Sequence, residues 1–329
     1  MSRNIAILGC GAIAQEYHLK AIARRRQDFD RVWVVDPNED ARQKACSVVR
    51  AQESATLSEI PDELQFVIVA SPNENHFAAA KEALNRGADV LIEKPFVIWP
   101  DEGRELVKLA EQRHRIIAVN QTRRFFPYTQ ELRKRIAEGE FGALRQIVHH
   151  EGFKLRWPSM SGAGFARNAQ RTGVVMDTGV HVLDFYQYLL NPTWSFVSAI
   201  HDGFNGPEGL AEIHLEANQA PVSIRLSRYE KQENTSLMDF ERAQVQLHIF
   251  EFNVYSVSFK SGSGERKRSF RLPAIDLPFL AGRILGDFVD AREGGTKAMC
   301  EATSSLPVIE ILDQIYMHAS HYPEAPGKV

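Results

Sequence analysis

The sequence predicts an α/β fold in which a doubly wound parallel sheet is followed by a second α/β domain with an open, mainly antiparallel sheet. Three observations lead there. At 329 residues the chain exceeds the size, about 250–300 residues, at which a single hydrophobic core stops growing, so two cores are expected. From the start to residue 125 or so, short apolar runs alternate with longer amphipathic stretches, the pattern of parallel strands wrapped by helices. Beyond Pro127, runs of alternating apolar and polar residues follow one another at turn spacing, the pattern of an antiparallel sheet.

Element by element, strands are expected at Ile5 to Leu8, Val32 to Val35, Phe66 to Ala70, Val90 to Ile92 and Ile116 to Val119, with helices at Phe77 to Arg86 and Asp101 to Gln112. A helix from Tyr128 to Ala137 should end near Gly139, because glycine closes a helix without steric cost. Strands are then expected at Gln146 to Phe153, Phe196 to His201, Ala211 to Ala217, Val222 to Arg228, Val245 to Phe250, Val254 to Lys260 and Lys267 to Arg271. An amphipathic helix, Val174 to Leu190, lies between the first two of these. The chain closes with helical Phe279 to Glu293 and Ala302 to Ala319, which are free to pack back on the first domain. The expected division is therefore 1–124 and 125–329.

Composition narrows the function classes. Hydrophobic residues at 44% and charged residues at 25% describe an ordinary globular chain, and a net charge of −3 offers no field to hold nucleic acid or anionic lipid. No apolar run has the length of a membrane span or a secretory leader, so a cytoplasmic protein is expected. Cys10, Cys46 and Cys300 are an odd set at wide spacing without a C-x-x-C pair, which argues for reduced thiols and against a zinc site.

Directly after the first strand comes Gly9-Cys10-Gly11-Ala12-Ile13-Ala14, a G-x-G-x-x-A run that opens a helix at Ala12. Gly9 permits a tight turn, Gly11 lets the backbone approach a pyrophosphate, and Ala14 keeps helix and strand close, while the helix start offers unpaired N–H groups to phosphate. Such a run also occurs for packing alone. Asp36 adds weight, because an acid at the end of the second strand can accept from both ribose hydroxyls and repels a 2′-phosphate. With Pro37 following it, where a phosphate-holding side chain would be needed, NAD is favoured over NADP.

Two clusters stand at later strand ends, where open α/β sheets bind ligands. One is Ser71-Pro72-Asn73 with His76; the other is Glu93-Lys94-Pro95. Lys94 beside Glu93 reads either as a surface ion pair or as a lysine aimed by Pro95 at a substrate hydroxyl. In the second domain Asp177, His181 and Asp184 are spaced four and three apart on one helical face, within a segment whose other positions include apolar Val174, Val175, Val182 and Leu183. A titratable stripe on a buried helix faces a cavity, forms a core network, or ligates a metal, and no soft or clearly chelating set supports the last.

Taken together, Gly9 to Ala14, Asp36, Ser71 to Asn73 with His76, Glu93 to Pro95, the stretch Asn120 to Pro127 with Gln121 and Arg123-Arg124-Phe125, and Asp177-x-Gly179-x-His181-x-x-Asp184 resemble the Gfo/Idh/MocA family of oxidoreductases across essentially the whole chain. The resemblance implies a Rossmann domain, then an α/β domain commonly used for oligomer contacts, here a homodimer or homotetramer. It implies a hydride moved between nicotinamide and a ring hydroxyl or ketone carbon of a sugar, inositol or sugar derivative. Lys94, Asp177 and His181 would form the catalytic set, with His181 as general acid or base, Lys94 polarising the same oxygen and Asp177 holding a neighbouring hydroxyl. Gly9, Gly11, Ala12, Ile13, Ala14, Asp36, Ser71, Asn73, His76, Glu93, Lys94 and Gln121 would line the cofactor; Arg123, Trp157, Arg167, Asn168, Asp177 and His181 the substrate, with Arg156 a further candidate contact. The chain departs from the pattern at Arg171-Thr172-Gly173, where many relatives carry two or three glycines, and at Asn168, a neutral replacement for an acid. An NAD-binding sensor without catalysis, and a redox-neutral sugar lyase or hydrolase with tightly held NAD, remain open beside the dehydrogenase reading.

Overall fold

The computed structural model describes residues 3–61, 63–154, 171–203, 206–261 and 264–323. They form two compact units, one from the described residues of 3–125 and 275–309, the other from those of 126–154, 171–274 and 310–323.

In the first unit, six parallel strands, β1 (Asn4–Leu8), β2 (Arg31–Val35), β3 (Gln52–Ser54), β4 (Phe66–Val69), β5 (Asp89–Ile92) and β6 (Ile117–Val119), are ordered β3-β2-β1-β4-β5-β6. Every residue of β1, β4, β5 and β6 is buried, as expected where helices cover both faces of a parallel sheet. The strand order reverses beside β1, so the carboxyl ends of β1 and β4 diverge into a crevice. The helical run after β1 passes through a π turn at Ala14–His18 into α1 (Leu19–Arg24).

Helix α2 (Glu39–Val48) and strand β3 lie outside the sequence expectations: the helix is short and strongly polar, and two of the strand's three residues face solvent. Asn38 starts α2 by accepting from the Ala41 N–H. Helix α3 (His76–Asn85) follows β4, and α4 (Pro100–Arg113) begins at a proline whose missing N–H costs nothing there. The last helix of this unit, α7 (Leu277–Gly294), covers the sheet by setting Phe288 edge-on to Phe66, which meets Phe29 in the same way. This packing takes residues 275–309 out of the continuous 125–329 stretch and into the N-terminal core. An amphipathic pattern shows that a helix covers a sheet, not which sheet.

The second unit opens with α5 (Pro127–Ala137), after which Gly139 takes a left-handed φ of 72°. Its sheet is built from β7 (Leu144–Gly152), β8 (Trp194–His201), β9 (Leu210–Ala217), β10 (Ala220–Ser227), β11 (Thr235–Phe240), β12 (Ala243–His248), β13 (Val254–Ser261), β14 (Gly264–Arg271) and the short β15 (Ser320–His321). The order is β14-β13-β12-β11-β7-β10-β9-β8-β15, antiparallel except where β7 meets β10 and β8 meets β15. Strand β11 has no counterpart in the sequence expectations. Its turn to β12 is Glu241-Arg242, with neither Gly nor Asn to announce it, and is held by tertiary bonds instead: Glu241 N–H to the Ala143 carbonyl at 2.9 Å and Arg242 N–H to the Phe141 carbonyl at 2.9 Å.

One face of this sheet packs on α6 (Val180–Leu190) through a polar knot, in which Tyr186 Oη lies 2.9 Å from His149 Nδ1 and 2.7 Å from Ser236 Oγ. The expected regular helix from Val174 begins instead with a π turn, Val175–Gly179, a local widening that recurs at functional sites. The final helix, α8 (Leu306–His318), carries Asp313 and Tyr316 in its second half. Among the described residues no helix is long and apolar enough to cross a membrane.

Arg124 ties the end of the parallel sheet to the 275–309 segment: it is buried, and its Nη1 donates to the Met299 carbonyl at 3.0 Å and to Ser304 Oγ at 2.7 Å. Replacing it with methionine strands buried acceptors at a cost of about 2 kcal/mol. We expect Arg124→Met to lower the thermal midpoint by about 2–5 °C, read by circular dichroism.

Candidate active site

The first unit brings its sequence-predicted residues to the carboxyl edge of one parallel sheet. Gly9 follows β1 with φ 93°, and a Cβ there would lie 2.6 Å from the Ala70 carbonyl oxygen, so only glycine fits. A Cβ built on Gly11 meets nothing within 4 Å, which leaves the approach to the loop open. Asp36 braces this loop: Oδ2 accepts from Cys10 N–H at 2.9 Å and Oδ1 from Asn38 N–H at 2.8 Å. The Arg42 guanidinium lies behind Asp36, on its carbonyl at 2.7 Å, and pairs with Glu53 at 3.4 Å.

Further along the edge, the buried His76 ring lies between the Pro95 carbonyl, 2.8 Å from Nδ1, and the Ser71 carbonyl, 3.0 Å from Nε2. Burial holds its pKa below the usual histidine value, so the neutral ring donates to one carbonyl at a time. It thereby joins the loops after β4 and β5. Glu93 is buried under Lys94 and accepts from three sides: His18 Nε2 at 2.7 Å, Asn120 Nδ2 at 2.6 Å and the Lys94 backbone N–H at 3.1 Å. Burial alone would raise its pKa; the His18 and Asn120 hydrogen bonds and the Lys94 charge outweigh it, and the net shift is downward. Lys94 itself is half-buried and joined to Pro95 by a cis peptide bond.

These residues fit a dinucleotide. Ser71 Oγ, Gln121 Nε2 and Tyr17 Oη are buried on or beside this edge without hydrogen-bond partners among the described residues, and buried polar atoms without partners await a ligand or water. Ala12, Ile13 and Ala14 start the helical run behind the loop, and Asn73 opens the turn into α3. Cys10 in the loop is no nucleophile, since burial and the Asp36 charge push its thiol up to about 12.

The second unit positions Asp177 and His181 on consecutive turns, Asp177 in the π turn and His181 in α6, both half-buried, with Asp184 buried one turn on. Asp177 Oδ2 lies 2.7 Å from Arg228 Nη2, a residue that sequence reasoning placed only at a strand end. Arg228 Nη1 donates to the Thr172 carbonyl at 3.4 Å. His18, Asn120 and Arg228 acquire their roles from contacts 27–75 positions apart in sequence, for which spacing gives no signal. Arg123 is buried in a 3-10 turn, Thr122–Phe125. Arg156, Trp157, Arg167 and Asn168 lie outside the described residues. No cluster of three or more His, Cys, Asp or Glu able to hold a metal occurs among the described residues.

The profile of an oxidoreductase family with an NAD-binding Rossmann fold matches residues 3–121, and that of the GFO/IDH/MocA C-terminal domain matches 129–249. The chain belongs to the Gfo/Idh/MocA oxidoreductase family. Among curated family members it is 30% identical over 195 residues to a D-glucoside 3-dehydrogenase of Escherichia coli, covering 57% of this chain and 54% of that protein. It is 29% identical over 151 residues to a UDP-N-acetylglucosamine 3-dehydrogenase of Acidithiobacillus ferrooxidans, covering 46% and 44%. The matched region thus spans about half the length of these relatives. Solved structures agree in fold over nearly the whole chain. The Acidithiobacillus enzyme superposes with TM-score 0.80 at 19% identity, covering 97% of this chain and 98% of that one. A 3-ketoreductase from Actinomadura kijaniata, solved with NADP and TDP-benzene, gives 0.82 at 18%, covering 98% and 100%.

The lowered Glu93 pKa has a consequence for stability. Above its ordinary value of 4.5 the unfolded chain has released this proton and the fold gains from the ionised group; the gain disappears as pH falls through the lower, folded value. Acid titration of unfolding should therefore show a flatter acid limb in Glu93→Gln than in the wild-type protein.

Proposed function

We propose that this family member is an NAD-dependent oxidoreductase acting on a ring hydroxyl or ketone of a sugar, inositol or sugar derivative. The observation that carries the reading is Lys94, held by the buried Glu93 network on the same sheet edge that bears the open Gly11 loop. Nicotinamide, when bound, supplies the hydride acceptor or donor. The protein's part is to bind, orient and move a proton. His181 takes the hydroxyl proton in oxidation and returns it in reduction, a role suited to an imidazole. The Lys94 ammonium stabilises the same oxygen as it gains negative charge. Asp177, turned by Arg228, accepts from a neighbouring hydroxyl and sets the ring's orientation. The names of the relatives, 3-dehydrogenases and a 3-ketoreductase, favour carbon 3 as the reacting position.

Asp36 supports NAD over NADP, because its carboxylate occupies the end of β2 and already organises the glycine loop. Arg42 does not offset it, its guanidinium being engaged by Glu53 and the Asp36 carbonyl. We also propose a homo-oligomer formed through the outer face of the mixed sheet, where Val148 and Leu237 sit side by side and half-buried. A strictly monomeric protein in light scattering would rule that out.

The decisive experiment identifies any nucleotide released from purified protein and follows NADH absorbance over a panel of sugars, inositols and sugar nucleotides. Lys94→Ala and His181→Ala should each lower kcat by about 10²–10⁴-fold, with NADH binding retained in His181→Ala. Bound NAD with no turnover would instead favour a sensor, and product without net NADH change would favour an internal redox cycle. For the cofactor, titration should give a lower Kd for NADH than for NADPH, with the gap narrowed in Asp36→Ser.

A further inference from the structure

The four N–H groups at the start of a helix have no partner within it. At the turn that carries Asp177, three of them, on Val174, Val175 and Met176, find acceptors outside the helix. Val174 N–H donates to the Glu208 carbonyl at 2.8 Å, while Asp177 N–H makes the first bond within the helix, to the Gly173 carbonyl at 3.0 Å. Val175 N–H donates to Glu208 Oε1 at 3.0 Å, and Met176 N–H to Tyr316 Oη at 3.1 Å. Tyr316 in turn donates its hydroxyl to Glu208 Oε1 at 2.7 Å. These three groups therefore end on a glutamate and a tyrosine that lie far away in sequence, on the approach to β9 and in α8.

We propose that Glu208 and Tyr316 are positioning residues that fix the turn bearing Asp177 and His181, and that residue 173 is glycine to admit the Glu208 carboxyl. The inference rests on the catalytic reading above for its effect on turnover, but not for the clamp itself. A Cβ on Gly173 would lie 2.0 Å from the Glu208 carboxyl carbon, and that carboxyl has no freedom to withdraw without losing Val175 and Tyr316. This accounts for the single glycine that survives in Arg171-Thr172-Gly173.

The surroundings hold the clamp in place. Arg171, at φ 55°, pairs with Asp313 at 2.7 Å and lies over the Tyr316 ring at 5.3 Å, so the stretch before the turn is fastened to α8. Arg228 binds both the Thr172 carbonyl and the Asp177 carboxylate, and its charge acts on Glu208 as well. Burial raises the Glu208 pKa against the opposing Tyr316 and Val175 hydrogen bonds and the Arg228 charge. Acceptance of the Val175 N–H needs only an oxygen, and a glutamine supplies one.

The test uses the full chain with Glu208→Ala, Glu208→Gln and Tyr316→Phe. Amide hydrogen exchange of residues 174–177 should accelerate in Glu208→Ala and Tyr316→Phe, and return close to wild type in Glu208→Gln. On a substrate identified by the sugar panel, Glu208→Ala should lose about 10–100-fold in kcat, the scale set by small misplacements of reacting groups. The NADH Kd should stay within about twofold and Glu208→Gln should recover most of kcat. Unchanged exchange in Glu208→Ala, wild-type kcat in that variant, or a Glu208→Gln protein as slow as Glu208→Ala would each overturn the proposal. If Glu208→Ala fails to fold, Tyr316→Phe, which removes a single oxygen, decides it by the same exchange measurement. A wild-type protein that turns over no sugar would sink the catalytic reading while exchange still tests the clamp.

Discussion

Backbone N–H groups at strand-to-loop turns and helix starts need acceptors, and in this protein three carboxyl groups supply them at the loops that carry the proposed site. Asp36 holds the Cys10 N–H of the glycine loop, Glu93 the Lys94 N–H, and Glu208 the Val175 N–H. A charge-assisted hydrogen bond to a backbone group fixes the position of the chain as well as lowering its energy. Each of these loops presents its side chain or its open backbone as a consequence. On the proposed reading the same residues serve both folding and site geometry.

The carboxylates differ in how their burial is compensated. Glu93 has two side-chain donors, a backbone donor and a nearby cation, and its ionised form is favoured despite full burial. Glu208 has a tyrosine hydroxyl and two backbone N–H groups, its own and that of Val175, with Arg228 shared with Asp177, and burial prevails. The kind and charge of the donors decide the sign: His18 and Lys94 add charge beside Glu93, whereas the donors to Glu208 are neutral. The Lys94 backbone is therefore held by a carboxyl whose ionised form is favoured, whereas the turn of Asp177 rests on one that burial makes harder to ionise.

Much of the parallel sheet was legible in the sequence, since β1, β2, β4, β5 and β6 are apolar runs bounded by turn residues, and the glycine loop and Asp36 announce the dinucleotide edge. Strand β3, too short and exposed, gave no such pattern, and the β11 to β12 turn carried no glycine or asparagine because contacts with residues 141–143 do the work of a turn residue. His76 and Glu93 were visible as strand-end residues in the right place. Their engagement with carbonyls and with His18 and Asn120 was not, since hydrogen-bond partners are chosen by the fold.

The sequence by itself determined the order of elements, the glycine loop, the acid after β2, and the helical stripe of Asp177, His181 and Asp184, because these follow from periodicity and from local steric demands that act over a few residues. Only the tertiary structure decided that α7 joins the N-terminal core through Phe288, that Arg228 turns Asp177, and that Glu208 and Tyr316 complete the start of its helix. Those contacts join residues 33–222 positions apart. They depend on where whole sheets and helices come to rest, and local pattern carries no record of that.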